Sequence, residues 1–504
     1  MQEYLLAFDV GTTSCKACLF DTELKLIASA VSGYETAHPY PGWAEHQCSD
    51  WLDAIIRNMK ELLDVSQIDP KAVIAIGLDT LGSTLVPVDG EGNALGSGLI
   101  WMDRRSSREC SMIDSIIGDD LLRINGNHND PSNIAPKILW MKANKPEIYK
   151  RTSSFLHANG YIAQFLTGLP SMDITEGGLT QLFDIQRGCW SRELTSDCGI
   201  DQEKLPEIVP CHRPLGRLTS RAAKLLGLPS GIPVMPGAMD MVSAALGSGV
   251  VSEGDTYVSA GTVTAVGVCR KTPIPHKDLH LYHHIIPDTW ISAAGVDYGG
   301  AGFRWFQKLL EIRSFGEIDR MISEADRGSE PLIFLPYMVG QRAPLWNSQT
   351  RGVLLGLHPS TTEVELFRAF MEGNALGVRR ILDIIGSTGV TPGMMKLTGG
   401  CSNSEPWIRI FADVSSLPIT IPGEMDVASL GGAISAAIGV GLYPDFSSLP
   451  DLTRDLEVLE PDRSAVDLYH EYFRVFNRAL DQMMPVYQEL EDVRTLLQEK
   501  RENP

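Results

Sequence analysis

The chain has 504 residues, too many for one hydrophobic core, so two large domains are expected. Hydrophobic residues make up 43% and charged residues 21%, ordinary values for a globular protein. A formal net charge of −20 excludes the basic face that nucleic acid or an anionic membrane would need. Phosphate-bearing small molecules stay open, because backbone donors and a metal ion can hold them.

The first predicted element is a hairpin, LLAFDVGTTSCKACLFD (5–21). An apolar run stops at Asp9, turns through Gly11-Thr12-Thr13-Ser14 and resumes to Asp21. A bland turn needs little more than the glycine. This one carries a carboxylate, a hinge and a cluster of hydroxyl and N–H donors, which suit a phosphate chain and its magnesium ion. The competing reading is an Asx turn that only stabilises the hairpin.

The chain's first residues, MQEYLLAFDVG, have neither a basic region nor a cleavage site, and no signal peptide is expected. The nine cysteines (15, 18, 48, 110, 189, 198, 211, 269 and 401) are odd in number and sparse, which predicts a reducing, cytoplasmic location. Cys15 and Cys18 form a C-x-x-C, but on a strand their side chains point to opposite faces and no second pair follows at zinc spacing.

Further along, helical periodicity marks Asp50–Leu63 and Pro136–Asn144, and strand-like runs include AVIAIGLD, STLVPVD and IPVMPGA. A second set follows residue 249: DTYVSAGTVTAVGVC, LIFLPYM, MMKLTGG and LPITIP, with the helix FRAFMEGNALGVRRILDII. The weakly polar run Ala428–Tyr443 is too short to span a bilayer and reads as a closely packed internal helix. The tail from Leu468 is helical in pattern, with an interruption expected at Pro485. Ser259-Ala260-Gly261-Thr262-Val263-Thr264 echoes the first turn, so each half opens with a hairpin tipped by glycine and threonine. No G-x-x-x-x-G-K-[ST] occurs, and no G-x-G-x-x-G opens a helix after a strand, so a nucleotide would have to be held by such hairpins.

Seven motifs in register resemble the FGGY family of carbohydrate kinases: DVGTT (9–13), LIWMDRR (99–105), SNIAPKILWMKAN (132–144), PGAMD (236–240), SAGTVT (259–264), FLPYMVGQRAPLW with RGVLLGLHPSTTEVELFRAFMEG (334–346 and 351–373), and LTGGCSNSEPWIRIFADVSSLPI (397–419). They run from about Leu5 to Tyr443. The resemblance implies an α/β fold of two actin/hexokinase-type (ribonuclease H-like) domains with mixed central sheets, facing across a cleft. Residues 1–249 would bind sugar and carry the first phosphate loop and the base; residues 250–504 would carry the second phosphate loop, the adenosine site and a helical tail.

The resemblance implies ATP and Mg²⁺ as cofactors, a sugar or polyol as acceptor, and no nucleic-acid or membrane partner; a homodimer stays open. Asp240 follows a Pro-Gly turn and precedes MVSAALGSG, a small-residue helix. Local sequence allows a capping aspartate; the ordered motifs assign it as the base that takes the acceptor proton, and as a second candidate metal contact. Asp9 would hold Mg²⁺ through water, with Gly11, Thr12, Thr13 and Ser14 on phosphate. Gly261 and Thr262 would close on the nucleotide phosphates. Gly299-Gly300 and Gly399-Gly400 would let the nucleotide approach closely, with backbone packing as the other explanation. Ser404 would contact adenine.

On the sugar side, Trp101 would stack an apolar sugar face or else be a core tryptophan. Asp103-Arg104-Arg105 reads equally as a structural ion-pair cluster. Asp79–Thr84 (DTLGST) occupies the position where family members differ by substrate, and Gly82-Ser83 replaces the Met-His of xylulokinases and the Arg-Glu of glycerol kinases. That stretch is closer to ribulokinases, while GWAEHQCSDWL (42–52) looks like the xylulokinase neighbourhood. A pentulose is expected, xylulose ahead of ribulose, in a permissive pocket beside Gly82 and Ser83. An actin-like ATPase and a catalytically silent sugar sensor remain as rivals from other classes.

Overall fold

The computed structural model describes residues 2–311, 314–325, 331–423, 426–450 and 456–502. The chain forms two compact units, and the first is discontinuous: Met1–Val251, Cys269–Ile291 and Asp426–Leu452. The second comprises Ser252–Val268, Ser292–Met425 and Thr453–Pro504. No helix among the described residues is long and apolar enough to cross a membrane.

The first unit is built on a mixed sheet. Its strands are β1 (Tyr4–Val10), β2 (Ser14–Asp21), β3 (Leu26–Gly33), β4 (Val73–Thr80), β5 (Gly216–Arg217) and β6 (Pro233–Val234), in the order β5-β6-β4-β1-β2-β3. β1 runs antiparallel to β2 and parallel to β4, so Asp9 lies beside both Lys16 and Asp79 in register. The apolar runs that predict these strands become the core: Leu6, Phe8, Val10, Ile76 and Leu78 are buried with Trp51, Ile55 and Met59 of the helix Cys48–Ser66. Cys15 and Cys18 are both buried on β2 and unpaired.

The run read as a closely packed internal helix is the helix Val427–Gly439, and it folds with the first unit. Its glycines let backbones touch. A Cβ on Gly77 of β4 would stand 2.1 Å from the Gly432 carbonyl oxygen, and one on Gly247 would stand 1.9 Å from that of Val427. Gly247 ends the short helix Asp240–Gly247, so this helix pair fixes the element that Asp240 opens.

The second unit repeats the arrangement with β7 (Thr256–Ala260), β8 (Thr264–Arg270), β9 (Trp290–Val296), β10 (Met395–Thr398) and β11 (Ile419–Thr420), in the order β9-β8-β7-β10-β11. β7 is antiparallel to β8 and parallel to β10, as β1 is to β2 and β4. The hairpin echo in the sequence is therefore an echo of topology. The tail departs from expectation: the helix Arg463–Glu502 runs through Pro485 without a break. Ala465, Tyr469, Phe476, Leu480 and Tyr487 are buried at spacings of four and seven residues, so packing on both sides of the proline outweighs the lost hydrogen bond.

Candidate active site

In the first unit the two hairpin strands deliver Asp9 and the Gly11–Thr13 tip. The Gly11 N–H donates to the Ser14 carbonyl at 2.9 Å, and the Tyr34 hydroxyl donates to the carbonyls of Gly11 (2.5 Å) and Ser14 (3.0 Å). The turn is thus closed from beneath, leaving Thr12 half-buried and Thr13 exposed. Trp101 is half-buried too, and its indole N–H donates to the Thr12 hydroxyl at 3.0 Å. The proposed sugar-stacking residue and the phosphate turn are therefore one hydrogen-bonded unit.

Three carboxylates converge here. Asp79, at the end of β4, is fully buried, and neither carboxyl oxygen meets an N–H or O–H donor. Burial, then the charges of Asp9 and Asp240, push its pKa well above the usual carboxylate range, and in the sheet register it lies beside Asp9. Asp9 is itself raised by burial, against the nearby Lys16 ammonium and the Asp79 hydrogen bond. Asp240 is half-buried at the start of its helix, where the Met241 N–H donates to it at 2.6 Å. Burial, then the Asp9 charge, lift its pKa to about 7 against that hydrogen bond. A carboxylate poised near neutral pH suits proton acceptance.

Sequence reasoning missed Lys16. It faces Asp9 across the hairpin and pairs with Asp426, 410 residues away. Burial would depress this ammonium, but the hydrogen bond and charge of Asp426 and the charge of Asp9 raise it instead. A lysine within an otherwise buried strand was the available signal; its partner had none.

The pocket expected at Gly82-Ser83 is not open. A Cβ on Gly82 would lie 2.9 Å from the Met239 Sδ and 3.2 Å from a Leu179 methyl, so Met239 fills the space that glycine leaves. Ser83 is buried, and its hydroxyl donates to the Ser132 carbonyl at 2.6 Å. Asp103 and Arg105 do form a structural cluster: Arg105 bonds Asp103 (2.7 Å) and Glu45 (2.6 Å) and stacks 3.6 Å above the Trp43 ring. Arg104 pairs with Asp130.

In the second unit, Gly261, Thr262, Gly299, Gly300 and Gly399 come together at the tip of β7–β8. The Gly300 and Ala301 N–H groups, opening the helix Gly300–Leu309, donate to the carbonyls of Gly261 (2.8 Å) and Thr262 (3.2 Å). Packing against the chain's own hairpin accounts for three of the four paired glycines. A Cβ would come within 2.3 Å of the Thr264 hydroxyl at Gly299, 2.5 Å of the Gly261 carbonyl at Gly300, and 2.8 Å of Ala260 at Gly399. Gly400 alone of the four faces open space. The Thr262 hydroxyl accepts from Arg304 (3.0 Å), and Ser404 caps the helix Glu405–Ser415 while donating to Asp319 at 2.7 Å.

Asp9 and Asp240 offer carboxylate oxygens, with the Lys16 ammonium beside Asp9. Among the described residues no group of three or more His, Cys, Asp or Glu is arranged to enclose a metal. One or two carboxylates completed by water and phosphate are how Mg²⁺ is usually held, and Asp9 and Asp240 fit that pattern.

Comparison with known proteins finds two family domains along the chain. Residues 4–247 match the N-terminal domain, and residues 256–440 the C-terminal domain, of the FGGY family of carbohydrate kinases. A xylulose kinase from Staphylococcus epidermidis is 29% identical over 480 residues, covering 94% of this chain and 96% of that protein. The crystal structure of a kinase from Brucella ovis, described as a xyloylose kinase, is 26% identical with a TM-score of 0.89, covering 97% of this chain and all of that one. That of xylulose kinase from Rhodospirillum rubrum is 26% identical with a TM-score of 0.90, covering 96% of this chain and all of that one. The chain belongs to the FGGY family of carbohydrate kinases and has its two-domain, actin/hexokinase-like fold.

Proposed function

We propose that this kinase transfers the γ-phosphoryl group of ATP to a hydroxyl of a pentulose, with xylulose the preferred acceptor. The carrying observation is Asp240, held near pKa 7 at the head of a rigid helix beside Asp9 and Asp79. The acceptor oxygen attacks the γ-phosphorus as its proton passes to the Asp240 carboxylate. The bond from γ-phosphorus to the bridging oxygen breaks, and ADP leaves. Asp9 and Asp240 would hold Mg²⁺, which when bound offsets the negative charge of the phosphates. Gly11, Thr12 and Thr13 would contact phosphate from the first unit. Gly261, Thr262 and Gly400 are the phosphate-contact candidates of the second unit, where the Gly399–Ser404 turn is the candidate for adenosine. Xylulose as acceptor is supported by the names of the full-length relatives; ribulose is the alternative suggested by Asp79 and the small residues that follow it. The odd number of cysteines, with eight of the nine buried, supports a reducing, cytoplasmic setting.

The test is ADP release measured across a panel of pentuloses, hexoses, tetritols and glycerol. Stimulation by a pentulose above all others is expected. A best acceptor that is glycerol or an aldohexose would overturn the pentulose assignment.

A further inference from the structure

One peptide beside the proposed sugar site is gripped from both sides by buried charged groups that the chemistry above does not use. Ser83 has φ +53°, a backbone region that side-chain-bearing residues disfavour and that the surroundings must impose. Its N–H donates to Glu176 Oε2 at 3.1 Å, and its carbonyl accepts from Lys137 Nζ at 2.8 Å. Both Lys137 and Glu176 are fully buried.

The other contacts of these two groups reach the rest of the site. Lys137 Nζ also donates to the carbonyls of Ile100 (2.9 Å) and Leu99 (3.2 Å), so three carbonyls converge on one lysine nitrogen. Ile100 precedes Trp101, which bonds Thr12. Glu176 Oε2 also meets His157 Nδ1 at 2.9 Å, and its neighbour Thr175 accepts from the Met239 N–H at 2.8 Å, next to Asp240. Burying an ionisable side chain costs stability that an apolar side chain of equal volume would not. Two of them on one peptide call for a role beyond filling the core.

We propose that Lys137 and Glu176 are positioning residues that clamp the Ser83 peptide and thereby set which ketose this kinase accepts. The clamp rests on the reading that Gly82-Ser83 and Trp101 border the acceptor sugar. Lys137 locks the Ser83 and Ile100-Trp101 segments to each other, and Glu176 locks Ser83 to the segment beneath Asp240. The strained turn then holds Gly82, and the Met239 side chain packed against it, in one fixed position beside the sugar.

The experiment uses the full chain and measures steady-state ADP release with xylulose and ribulose for Lys137→Met, Glu176→Leu and Glu176→Gln. The glutamine keeps an oxygen for the Ser83 N–H, and the leucine does not. Loss of a fixed polar arrangement should raise the ketose KM about tenfold and shrink the preference between the two ketoses by a similar factor in Lys137→Met and Glu176→Leu. Glu176→Gln should stay within about threefold of the parent, kcat should move little in all three, and the KM for ATP should move little in both Glu176 variants. A purely structural role would reduce the folded, active fraction without changing the ratio between ketoses. Unchanged KM and preference in folded Lys137→Met or Glu176→Leu overturns the clamp, as does a Glu176→Gln variant as impaired as the leucine. Should Lys137→Met not fold, the Glu176 pair decides. A parent chain that phosphorylates neither ketose would overturn the pentulose reading itself, a result distinct from active variants with unaltered selectivity.

Discussion

Replacing Asp240 with asparagine should stop phosphoryl transfer and stabilise the first unit. The two effects share one cause. Burial and the Asp9 charge hold this carboxyl near 7 instead of 3.8. At about 1.36 kcal/mol per pH unit, that caps the unfavourable ionisation at about 4 kcal/mol. Solvent contact of the half-buried group screens part of this, and the amide gives a weaker partner to the Met241 N–H, which leaves about 1–2 kcal/mol. The folded state binds the proton more tightly than the unfolded chain does. The penalty is therefore absent below pH 3.8, grows as pH rises towards 7 and is complete above it. Asp240→Asn should melt roughly 2–4 °C higher than the parent at pH 8, with the gap narrowing by pH 5.5. Its kcat should fall on the order of 10²–10⁴, as expected when a general base is lost. Thermal denaturation at the two pH values and a coupled ADP assay suffice. A variant that melts below the parent at pH 8 would refute the electrostatic reasoning, and near-parental kcat would remove Asp240 as the base.

The free-enzyme profile of kcat/KM should lose about tenfold per pH unit below about 7, where Asp240 takes up a proton; a flat profile down to pH 5.5 would argue against this. Gly77→Ala drives a methyl to 2.1 Å from the Gly432 carbonyl and should destabilise the first unit by about 1–3 kcal/mol, read as a lowered melting temperature; an unchanged one would mean that the helix Val427–Gly439 can shift freely. Trp101→Phe keeps the ring but removes the donor to Thr12, so KM should rise by up to about tenfold for both ketose and ATP; a change for ketose alone would uncouple Trp101 from the phosphate turn.

What the sequence makes legible is local. Asp9 and the Gly-Thr-Thr turn stand out because an acid, a hinge and donors interrupt two apolar runs, and the structure puts them on one hairpin. The helix Val427–Gly439 is readable from its small residues, and its glycines do make backbone contacts. Pairings across the chain leave no such trace. Lys16 finds Asp426 410 residues away, and Lys137 finds Ser83 54 residues back. The space expected beside Gly82 is filled by Met239, a contact between segments 157 residues apart that no spacing rule predicts. Gly299, Gly300 and Gly399 read as room for a ligand when sequence alone is considered, because glycine serves a close backbone neighbour and a close nucleotide equally well. Pro485 misleads for the opposite reason: the local rule is sound, but the buried residues on either side of it hold the helix together.

The most direct test of the central claim is to identify the phosphorylated product when the full chain is given ATP, Mg²⁺ and xylulose. Phosphorus NMR would follow both possible fates of the γ-phosphate. The account predicts one equivalent of ketose phosphate for each ADP formed, with little inorganic phosphate and little ADP when the sugar is left out. ADP and inorganic phosphate appearing together at the same rate with or without sugar would contradict it.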